Sequence, residues 1–439
     1  MKPCYLLVKC FAAIGIAASI HAQGFNWSTA SARSMAMGGV YLPSQAGVID
    51  SLAANPAGLG LLGSRTVDLS LTSIFASGSF SNAVNNNAPL KDAPGVIPYG
   101  GIGTPIWHSR FSIGLGVVPE LVSVSNWNYV DAPGVAGASY GLQKQKSAIL
   151  AAGGIAGVGF ALSRKVAVGA SVGVVYNSNT LETPYVFQSN PALAGLKTLL
   201  DLHTTGVGWN TSVGLIASPT RRLQFNAAWK SKTTIHSTGD ANGNIGVQLA
   251  ALGLGAARPD FHYSAEVTNI LPQSVLAGMN WRLDGRWLLA VQADWVNWKD
   301  AFSSLPVSLT DGNNADINGL LGTNAIFDRV PLNWKDQYSF RGGVERLLTE
   351  SISLRAGYAH SNNPVPASTL SPLTAAIMTN EISTGIGYRY GRWRFDLSYG
   401  IDPTTQENVG KTALLSGEYA NSKVRIGMQS LGLNTGFQF

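Results

Sequence analysis

The chain has 439 residues, a formal net charge of +6 at pH 7 and only 12% charged residues. This charged share is about half that of an ordinary soluble domain, and the absence of a basic cluster excludes a nucleic-acid-binding protein. Both cysteines, Cys4 and Cys10, lie in the first 22 residues, so the rest of the chain has no disulfide or cysteine metal site. Low charge with 50 glycines favours a wall with one apolar and one polar face. A bundle of membrane helices would need apolar runs of about 20 residues.

Residues 1–22 have the features of a signal peptide. Lys2 and Lys9 supply the positive start, residues 10–20 form an apolar run, and Ala22 ends a tolerable cleavage site. The apolar run is too short to serve as a membrane anchor. We therefore predict export to a cell envelope.

Residues 23–64 differ from the rest because they do not have the pattern of a strand. Their centre is Asn55-Pro56-Ala57, where Asn55 is expected to cap a short helix with Pro56 at its first position. The same turn is a candidate for positioning this segment against a wall. Apolar side chains that could line a pocket here, or simply pack, are Phe25, Trp27, Met35, Met37 and Leu52.

From residue 65 onward the dominant sequence period is two, as in the alternation of Val166, Val168 and Ala170 with Ala167 and Gly169. Alternating side chains point to opposite faces of a strand. We predict fourteen strands, beginning near residues 65, 98, 109, 147, 166, 204, 222, 262, 287, 335, 352, 381, 393 and 423. The uncharged run 147–163 could also be a membrane helix, but its four glycines favour strand structure.

The linkers between these strands alternate strictly between short and long. The long ones lie near residues 81–97, 119–145, 182–203, 238–261, 303–333, 361–379 and 401–422. A β-sandwich gives no reason for this alternation, whereas outer-membrane barrels have tight turns at one rim and long loops at the other. In lipid such a sheet must close. We predict an all-β fold, with residues 65–439 forming a 14-stranded antiparallel transmembrane β-barrel.

Two further patterns support a barrel. The last strand carries Leu431, Leu433, Phe437 and the terminal Phe439 on one face, which resembles the C-terminal signature of outer-membrane barrels. Aromatic residues near strand ends suit the two interfacial girdles of a barrel: Trp229, Trp281, Trp287, Trp295, Trp298, Tyr388, Tyr390 and Trp393.

Two of the long loops are apolar, which marks them as a candidate binding groove for an alkyl chain or aromatic ring. In the first, the leucines have helical spacing. The groove residues are Leu193, Leu196, Leu199 and Leu200 in the loop after the fifth strand, and Val247, Leu249, Leu252 and Leu254 in the loop after the seventh. The alternative is that these loops only cap the barrel mouth.

Charged residues on the polar faces of the late strands could bind a ligand carboxylate, or could form a mutual salt-bridge network that holds a plug. They are Arg341, Glu345, Arg355, Arg394 and Asp396. Residues 240–244 and 311–316 resemble calcium loops but lack the closing glutamate, so loop polarity explains them better. The sequence has no catalytic motif and no histidine pair with metal-ligand spacing. We therefore expect neither an enzyme nor a metal or other cofactor.

Three further features stand out: Asn55-Pro56-Ala57 follows Met37-Gly38-Gly39, residues 294–298 read Asp294-Trp295-Val296-Asn297-Trp298, and several motifs lie between residues 333 and 401. In these motifs and their order the chain resembles the FadL/TodX family of outer-membrane fatty-acid and hydrocarbon transporters. The resemblance implies that residues 23–64 form a hatch inside the barrel lumen. It also implies lateral release of ligand through a kink in the third strand, for which Gly114, Gly116 and Pro119 are the candidates.

The function implied is passive uptake of hydrophobic small molecules, either fatty acids or hydrocarbons, across the outer membrane of a Gram-negative cell. The alternative is a structural or secretion-associated barrel that docks protein partners. An outer-membrane hydrolase and a polar porin are less consistent with these residues. Expected partners are the hydrophobic ligand, outer-membrane lipid and lipopolysaccharide, and the barrel-assembly machinery. We expect a monomer that does not bind nucleic acid.

Overall fold

The structure is a computed structural model that describes residues 31–43, 47–91, 95–106 and 110–439. The predicted signal peptide and the candidate pocket residues Phe25 and Trp27 lie outside the described residues. Among the described residues, no helix is long and apolar enough to cross a membrane.

Fourteen antiparallel strands form one closed sheet in the described part of the chain. They are β1 (Thr66–Ser81), β2 (Gly95–Pro105), β3 (Phe111–Val130), β4 (Leu142–Ala161), β5 (Val166–Val186), β6 (Lys197–Ala217), β7 (Leu223–Lys230 and Thr233–Asn244), β8 (Asp260–Leu271 and Ser274–Arg282), β9 (Trp287–Val296 and Ser304–Thr310), β10 (Ile326–Pro331 and Gln337–Leu347), β11 (Ile352–Ser361), β12 (Asn380–Tyr390), β13 (Trp393–Asn408) and β14 (Lys423–Gln438). The first and last strands pair from Thr66↔Gln438 to Ser81↔Lys423, which closes the barrel. The predicted fold class is confirmed.

Strands β7 to β10 are each interrupted once; the interruption of β9 contains one short helix, and the other short helices lie before β1 or between strands. The α-helices are α1 (Ala32–Met35), α2 (Val48–Ala53), α3 (Gly246–Ala251), α4 (Trp298–Ala301) and α5 (Ala315–Leu321), and the 3₁₀-helices are Pro56–Leu61, Ala367–Thr369 and Pro372–Thr374. The run 147–163 lies within the single strand β4 and the turn after it, not in a helix.

Alternation along the strands separates a lipid face from a lumen face. In β14, for example, Leu431 and Leu433 are exposed on the outer face, whereas Ser430 and Asn434 are buried on the inner face. Near the short turns, outward aromatic rings contact one another: Trp393 lies 4.6 Å from Phe437, and Phe437 lies 4.8 Å from Phe439, between ring centroids. These rings form a girdle at the membrane interface. Trp298 is fully buried inside the barrel, so its assignment to a girdle was wrong.

The N-terminal helices lie inside the barrel. We call the described residues from 31 to 62 the hatch segment; its three short helices are α1, α2 and the 3₁₀-helix Pro56–Leu61. The side chains of α1 and α2 are buried, although neither helix is long enough to be stable alone. The segment therefore depends on the inner wall for its structure.

A second segment also fills the lumen. Residues 362–379, between β11 and β12, fold inward; we call them the inner loop. Leu370, Ala376, Ile377 and Met378 are each 0% exposed. The backbone is fixed from the wall, because Trp127 Nε1 donates to the Pro372 carbonyl at 3.2 Å. The lumen is thus occupied from the short-turn end by the hatch segment and from the loop end by the inner loop.

Candidate functional site

The Asn55 turn fastens the hatch segment to the wall. Asn55 Oδ1 accepts from the Ala57 backbone N–H at 3.1 Å, so Asn55 caps the 3₁₀-helix that begins at Pro56, as predicted. The amide nitrogen of the same side chain donates to the carbonyls of Leu215 on β6 and Ala227 on β7, at 3.3 and 3.1 Å. The Asn55 side chain therefore caps the start of the 3₁₀-helix and also ties this helix to two strands of the wall.

The inner wall beside the hatch segment is lined by glycine because the two surfaces touch. A Cβ atom added at Gly114 would lie 2.8 Å from Leu59 Cδ2, and one at Gly116 would lie 2.8 Å from Leu52 Cδ1. Both glycines keep regular pairing with β4, so they do not form the kink. Their assignment as kink residues was wrong: they make room for the hatch segment. Similar close approaches occur at Gly157, Gly159, Gly169, Gly214, Gly343, Gly357 and Gly385.

The irregularity of β3 lies at Pro119, the third predicted kink residue. The register of β3 on β4 shifts between Pro119 and Leu121, so Glu120 is left without a partner and forms a bulge. The pairing of β2 with β3 ends at Gly100↔Val117, although both strands continue beyond it. Residues 95–99 of β2 therefore pair with β1 alone. At about 3.3 Å per residue, the unpaired seam is about 16 Å long.

Beyond Val117, β3 stays paired with β4 but turns inward. Residues 118–125 are buried on both faces, whereas the same strand alternates between Ser112 and Leu115. Glu120 forms a buried ion pair with Lys230, at the interruption of β7, and accepts from Asn210 Nδ2 at 3.4 Å. The bulge thus places a charge pair beside the seam and apolar side chains of β3 in the lumen.

These apolar side chains belong to a large buried cluster that joins the hatch segment, β3 and the inner loop. It includes Leu52 and Leu59 from the hatch segment, Leu121 and Val122 from β3, and Ile377 from the inner loop. The same cluster contains an aromatic group, in which the Phe302 and Trp334 rings are stacked with centroids 4.8 Å apart and Trp298 meets Trp334 edge-on at 5.2 Å. Sequence reasoning missed the inner loop, although residues 362–379 carry no charge.

The predicted pocket residues of the hatch segment do not meet at one place. Leu52 lies in the cluster just described, whereas Met37 packs with Leu288 and Ala290 on another part of the wall. Met35 lies near Thr72, whose hydroxyl is 3.7 Å from the methionine sulfur. The structure therefore does not bring Met35, Met37 and Leu52 together as a single pocket.

Four of the five predicted lumen charges form one connected network with the hatch segment. Arg355 Nε lies 2.7 Å from Glu345 Oε2, and its Nη1 lies 2.7 Å from Asp396 Oδ1. Asp396 Oδ2 in turn lies 3.1 Å from Arg394 Nε. Arg33 of the hatch segment closes one end with a bidentate contact to Glu345, at 2.8 and 3.0 Å. Sequence reasoning missed Arg33.

The other end of this network also reaches the hatch segment. Arg394 Nη2 lies 3.2 Å from Asp68 Oδ1, and Asp68 accepts a hydrogen bond from the Val48 backbone N–H at the start of α2. The fifth predicted charge, Arg341, stands apart: it pairs with Asp294 at 2.5 Å and donates to the Gly38 carbonyl at 3.1 Å. All five charges thus have protein partners, an arrangement expected of side chains that hold a plug.

Burial of Arg33 is costly, and its partners compensate for that cost. Desolvation lowers the pKa of the Arg33 guanidinium, while Glu345 opposes the shift. A buried arginine with a bidentate carboxylate partner remains charged, and the two hydrogen bonds fix the orientation of its guanidinium group. Geometrically, this favours the salt-bridge interpretation over a site for a ligand carboxylate.

The two apolar loops do meet, but not as helices facing across a groove. Leu193 and Leu196 lie in a turn, and Leu200 lies in β6, so the helix suggested by the leucine spacing was wrong. Leu193, Leu200 and Leu249 share a buried cluster, with Leu196 packed against it. Leu199 is half-buried, while Val247, Leu252 and Leu254 around α3 are exposed.

A buried ion triad joins neighbouring loops. Lys197 Nζ lies 2.6 Å from Asp131 Oδ1 and 2.8 Å from Glu418 Oε2, and its side chain is 0% exposed. Across the described ranges, no group of three His, Cys, Asp or Glu residues could hold a metal ion.

Comparison with known proteins supplies the context for this geometry. A family model described as outer membrane protein transport protein (OMPP1/FadL/TodX) matches residues 9–428. A Pseudomonas aeruginosa FadL homologue is 17% identical, with a TM-score of 0.75 over 95% of this chain and 100% of the other. The Pseudomonas putida toluene transporter TodX is 20% identical, with a TM-score of 0.73 over 95% and 100%.

The Ralstonia pickettii toluene transporter TbuX is 18% identical, with a TM-score of 0.70 over 94% of this chain and 99% of the other. At these identities the solved structures show a shared fold and leave the ligand open. No curated protein sequence matches the chain.

Proposed function

The chain belongs to the OMPP1/FadL/TodX family of outer membrane transport proteins, and from this premise we propose that it mediates passive uptake of hydrophobic small molecules, either fatty acids or hydrocarbons. Ligand lands on the apolar outer loops and partitions into the lumen beside the hatch segment. It then leaves sideways into the membrane through the seam between β2 and β3. No energy input is required because the ligand moves from water into lipid.

The seam is the observation that carries the proposal. An unpaired stretch of strand edges in lipid is costly unless protein covers it. Here β3 turns inward over residues 118–125 and carries Leu121 and Val122 into the apolar lumen cluster. Apolar side chains of the cluster therefore lie beside an edge where no β2–β3 hydrogen bonds need to break for a ligand to pass.

Two separate plugs argue against a polar porin. The hatch segment and the inner loop are both buried within the barrel, and their shared cluster is apolar. A polar solute would have to cross this cluster without hydrogen-bond partners, at a cost of several kcal/mol (roughly 2–7 per polar group). A hydrophobic molecule has no such cost.

Uptake by Gram-negative cells that lack their own transporter of this family tests the function. The substrates are a labelled long-chain fatty acid, a monoaromatic hydrocarbon and a hydrophilic sugar. We expect entry of at least one hydrophobic class to rise above the empty-vector level while sugar entry does not change. Equal stimulation of sugar entry, or no stimulation of either hydrophobic substrate, would contradict the proposal.

A disulfide across the seam tests the exit route separately. The chain's only cysteines, Cys4 and Cys10, lie in the predicted signal peptide. After its removal, an introduced cysteine pair would have no other thiol with which to react. Tyr99→Cys with Val118→Cys occupies the next register position after Gly100↔Val117. Oxidation should block hydrophobic uptake and reduction should restore it.

The matched control is Ile102→Cys with Leu115→Cys, which links positions that are already paired. Uptake by this control should be unaffected by oxidation. If the locked seam still supports uptake at the wild-type rate, the lateral route is wrong, although uptake itself would stand.

A further inference from the structure

The two rims of the barrel differ in charge. Among the described residues, the short-turn rim exposes ten basic side chains: Arg65, Arg110, Arg164, Lys165, Arg221, Arg222, Arg286, Arg346, Arg389 and Arg392. Its exposed acidic groups are Asp284, Glu350 and the terminal carboxylate of Phe439. Subtracting these three groups from the ten basic side chains leaves an excess of seven positive charges, more than the formal net charge of +6 on the whole chain.

The long-loop rim does not share this excess. Its described loops and strand interruptions carry six basic residues, Lys91, Lys232, Arg258, Lys299, Lys335 and Lys411, and six acidic ones, Asp131, Asp300, Asp311, Asp316, Asp336 and Glu418. Charge spread evenly for solubility would appear at both rims. Its concentration at one rim indicates a partner of negative charge on that side.

The aromatic girdle places the basic rim in a lipid headgroup layer. The rings of Trp393, Phe437 and Phe439 mark the membrane interface at the short-turn end. The guanidinium carbon of Arg346 lies 5.0 Å from the centroid of the Trp287 ring, so a cation sits directly on the girdle. Short turns of such barrels face the periplasm, and this layer is the inner leaflet.

Within this rim, adjacent turns build a pocket of about 530 Å³, which we call the rim pocket. The β4–β5 turn contributes the exposed Arg164 and Lys165, the β6–β7 turn contributes the exposed Arg221 and Arg222, and the half-buried Arg282 of β8 also lines the pocket. A backbone hydrogen bond of 2.6 Å from Ser218 N to the Lys165 carbonyl holds the turns together.

None of the four exposed cations has a carboxylate partner among the described residues. They therefore repel one another, and the carboxylate of Asp284, which interacts electrostatically with Arg222, offsets only part of this repulsion. An external anion that enters the rim pocket would relieve this repulsion. Guanidinium and ammonium groups together suit a phosphate, because arginine binds it in bidentate fashion and lysine adds a point charge.

The surroundings of the rim pocket indicate that the phosphate belongs to a lipid. The rim pocket lies across the end of the wall: Leu223, which begins β7, lines it on the lipid side, and Gln224, Asn280 and Leu288 line it on the lumen side. Phe225, two residues further along the strand, is exposed on the lipid face, as is Leu162 beside the β4–β5 turn. A headgroup in the rim pocket would thus have apolar protein surface continuing from it in the direction of the acyl chains.

We propose that the rim pocket binds the phosphate headgroup of an anionic phospholipid from the inner leaflet of the outer membrane. The inference goes beyond transport, because lipid binding at the periplasmic rim requires neither the hatch segment nor the seam. Each basic side chain near an anionic membrane surface contributes about a fivefold preference. Four in one pocket therefore make a selective site.

Native mass spectrometry of the whole protein in detergent tests the proposal, with phosphatidylglycerol and phosphatidylethanolamine titrated separately. Wild type should bind phosphatidylglycerol more tightly. The quadruple variant Arg164→Gln, Lys165→Gln, Arg221→Gln and Arg222→Gln should weaken that binding at least about tenfold and leave phosphatidylethanolamine unchanged. The matched control removes four charges from the opposite rim: Lys91→Gln, Lys299→Gln, Lys335→Gln and Lys411→Gln. It should keep the wild-type preference.

Three results would overturn the proposal: equal binding of the two lipids by wild type, an equal loss in the control variant, or displacement of phosphatidylglycerol by inorganic phosphate at matched concentration. The last would assign the pocket to a soluble phosphate. If the quadruple variant fails to fold, wild type alone decides. Its phosphatidylglycerol preference should fall as NaCl rises from roughly 0.05 to 0.5 M, and a preference insensitive to salt would contradict the proposal.

Discussion

Replacing Gly159 with alanine should loosen the hatch segment without loosening the barrel. Gly159 lies on the lumen face of β4, against the 3₁₀-helix that begins at Pro56. A Cβ atom there would lie 2.7 Å from the Leu59 carbonyl carbon and closer still to the Gly60 nitrogen. Because both neighbours are backbone atoms, no side-chain rotation relieves the clash. The helix has to move away from the wall.

The size of the effect follows from the cost of overpacking. Extra methyl groups in a packed interior typically cost 1–3 kcal/mol, and we take about 2 kcal/mol here. Since about 1.4 kcal/mol corresponds to tenfold, the displaced population of the hatch segment should rise about 30-fold. The strands of the wall keep their hydrogen bonds, so their own stability should change little.

Hydrogen exchange detected by mass spectrometry reports both parts in one experiment. Peptides covering residues 48–62 should exchange about 30-fold faster in Gly159→Ala than in wild type, while peptides of β4 should not change. The matched control is Gly154→Ala on the same strand. A Cβ atom at Gly154 has Val174 O as its nearest neighbour, at 4.0 Å.

Two outcomes would refute the reasoning. One is wild-type exchange of the hatch segment in a folded Gly159→Ala barrel, which would mean that the contact with β4 does not hold the segment. The other is equal acceleration in Gly154→Ala, which would mean that any added methyl group on β4 destabilises the wall. The second result would remove the special status of the lumen-facing glycines.

Three further predictions concern charges and the bulge. Arg33→Met should lower the stability of the hatch segment by about 3 kcal/mol and speed its hydrogen exchange, because Glu345 loses a buried cation. Adding Glu345→Gln should recover part of the lost stability, and no recovery would show that the two side chains are not energetically coupled. Deleting Glu120 should remove the bulge and lower hydrophobic uptake while the barrel stays folded; uptake at the wild-type rate would contradict a role for the bulge. Lys197→Met should make the outer loops sensitive to protease, because Asp131 and Glu418 lose their buried cation. Burial raises the pKa of Glu418 and Lys197 opposes that shift, so in the variant Glu418 should take up a proton as the pH falls and protease resistance should return. Protease resistance that decreases further at lower pH would contradict this prediction.

The barrel could be predicted because its physics is local. Period-two alternation and short turns are written in neighbouring residues, so the strand count needed no long-range information. The errors lie at the strand ends on the long-loop side: β4 begins at Leu142 rather than 147, β6 begins at Lys197 rather than 204, and β3 runs to Val130 where a linker from 119 was expected. The added residues include Lys144, paired with Glu182 at 2.7 Å. Where a strand extends beyond the membrane it has no lipid-facing apolar side chains, so the alternating sequence pattern that predicts a strand is missing there.

The inner side of the barrel was less predictable, because a glycine or a charged residue in a strand is compatible with more than one structural role. Gly114 and Gly116 fit a kink in the sequence, but only the partner across the gap shows that they make room for Leu59 and Leu52. Arg341 and Arg355 were recognisable as lumen charges from strand alternation. Their relation to the hatch segment was not, because nothing near Arg33 in the sequence indicates a carboxylate 312 positions away.

The inner loop shows the same limit in a different form. Its lack of charge between residues 362 and 379 was visible, yet an uncharged loop fits an outer groove as well as an inward fold. Thr369 settles the direction in the structure, since its hydroxyl donates to the Leu332 carbonyl at 2.5 Å. Such a contact depends on the barrel's closed shape, which local patterns do not encode.

The pairing of Arg33 with Glu345 also orders events in time. The hatch segment is synthesised before any strand, yet its partners on β10 to β13 are among the last parts of the chain to be made. Contacts of such long sequence separation form late in folding. Until Glu345 is in place, the guanidinium group of Arg33 must stay hydrated. The salt bridge between the first-made segment and the wall is therefore completed late, and a chain truncated before β10 would lack the carboxylate that holds Arg33.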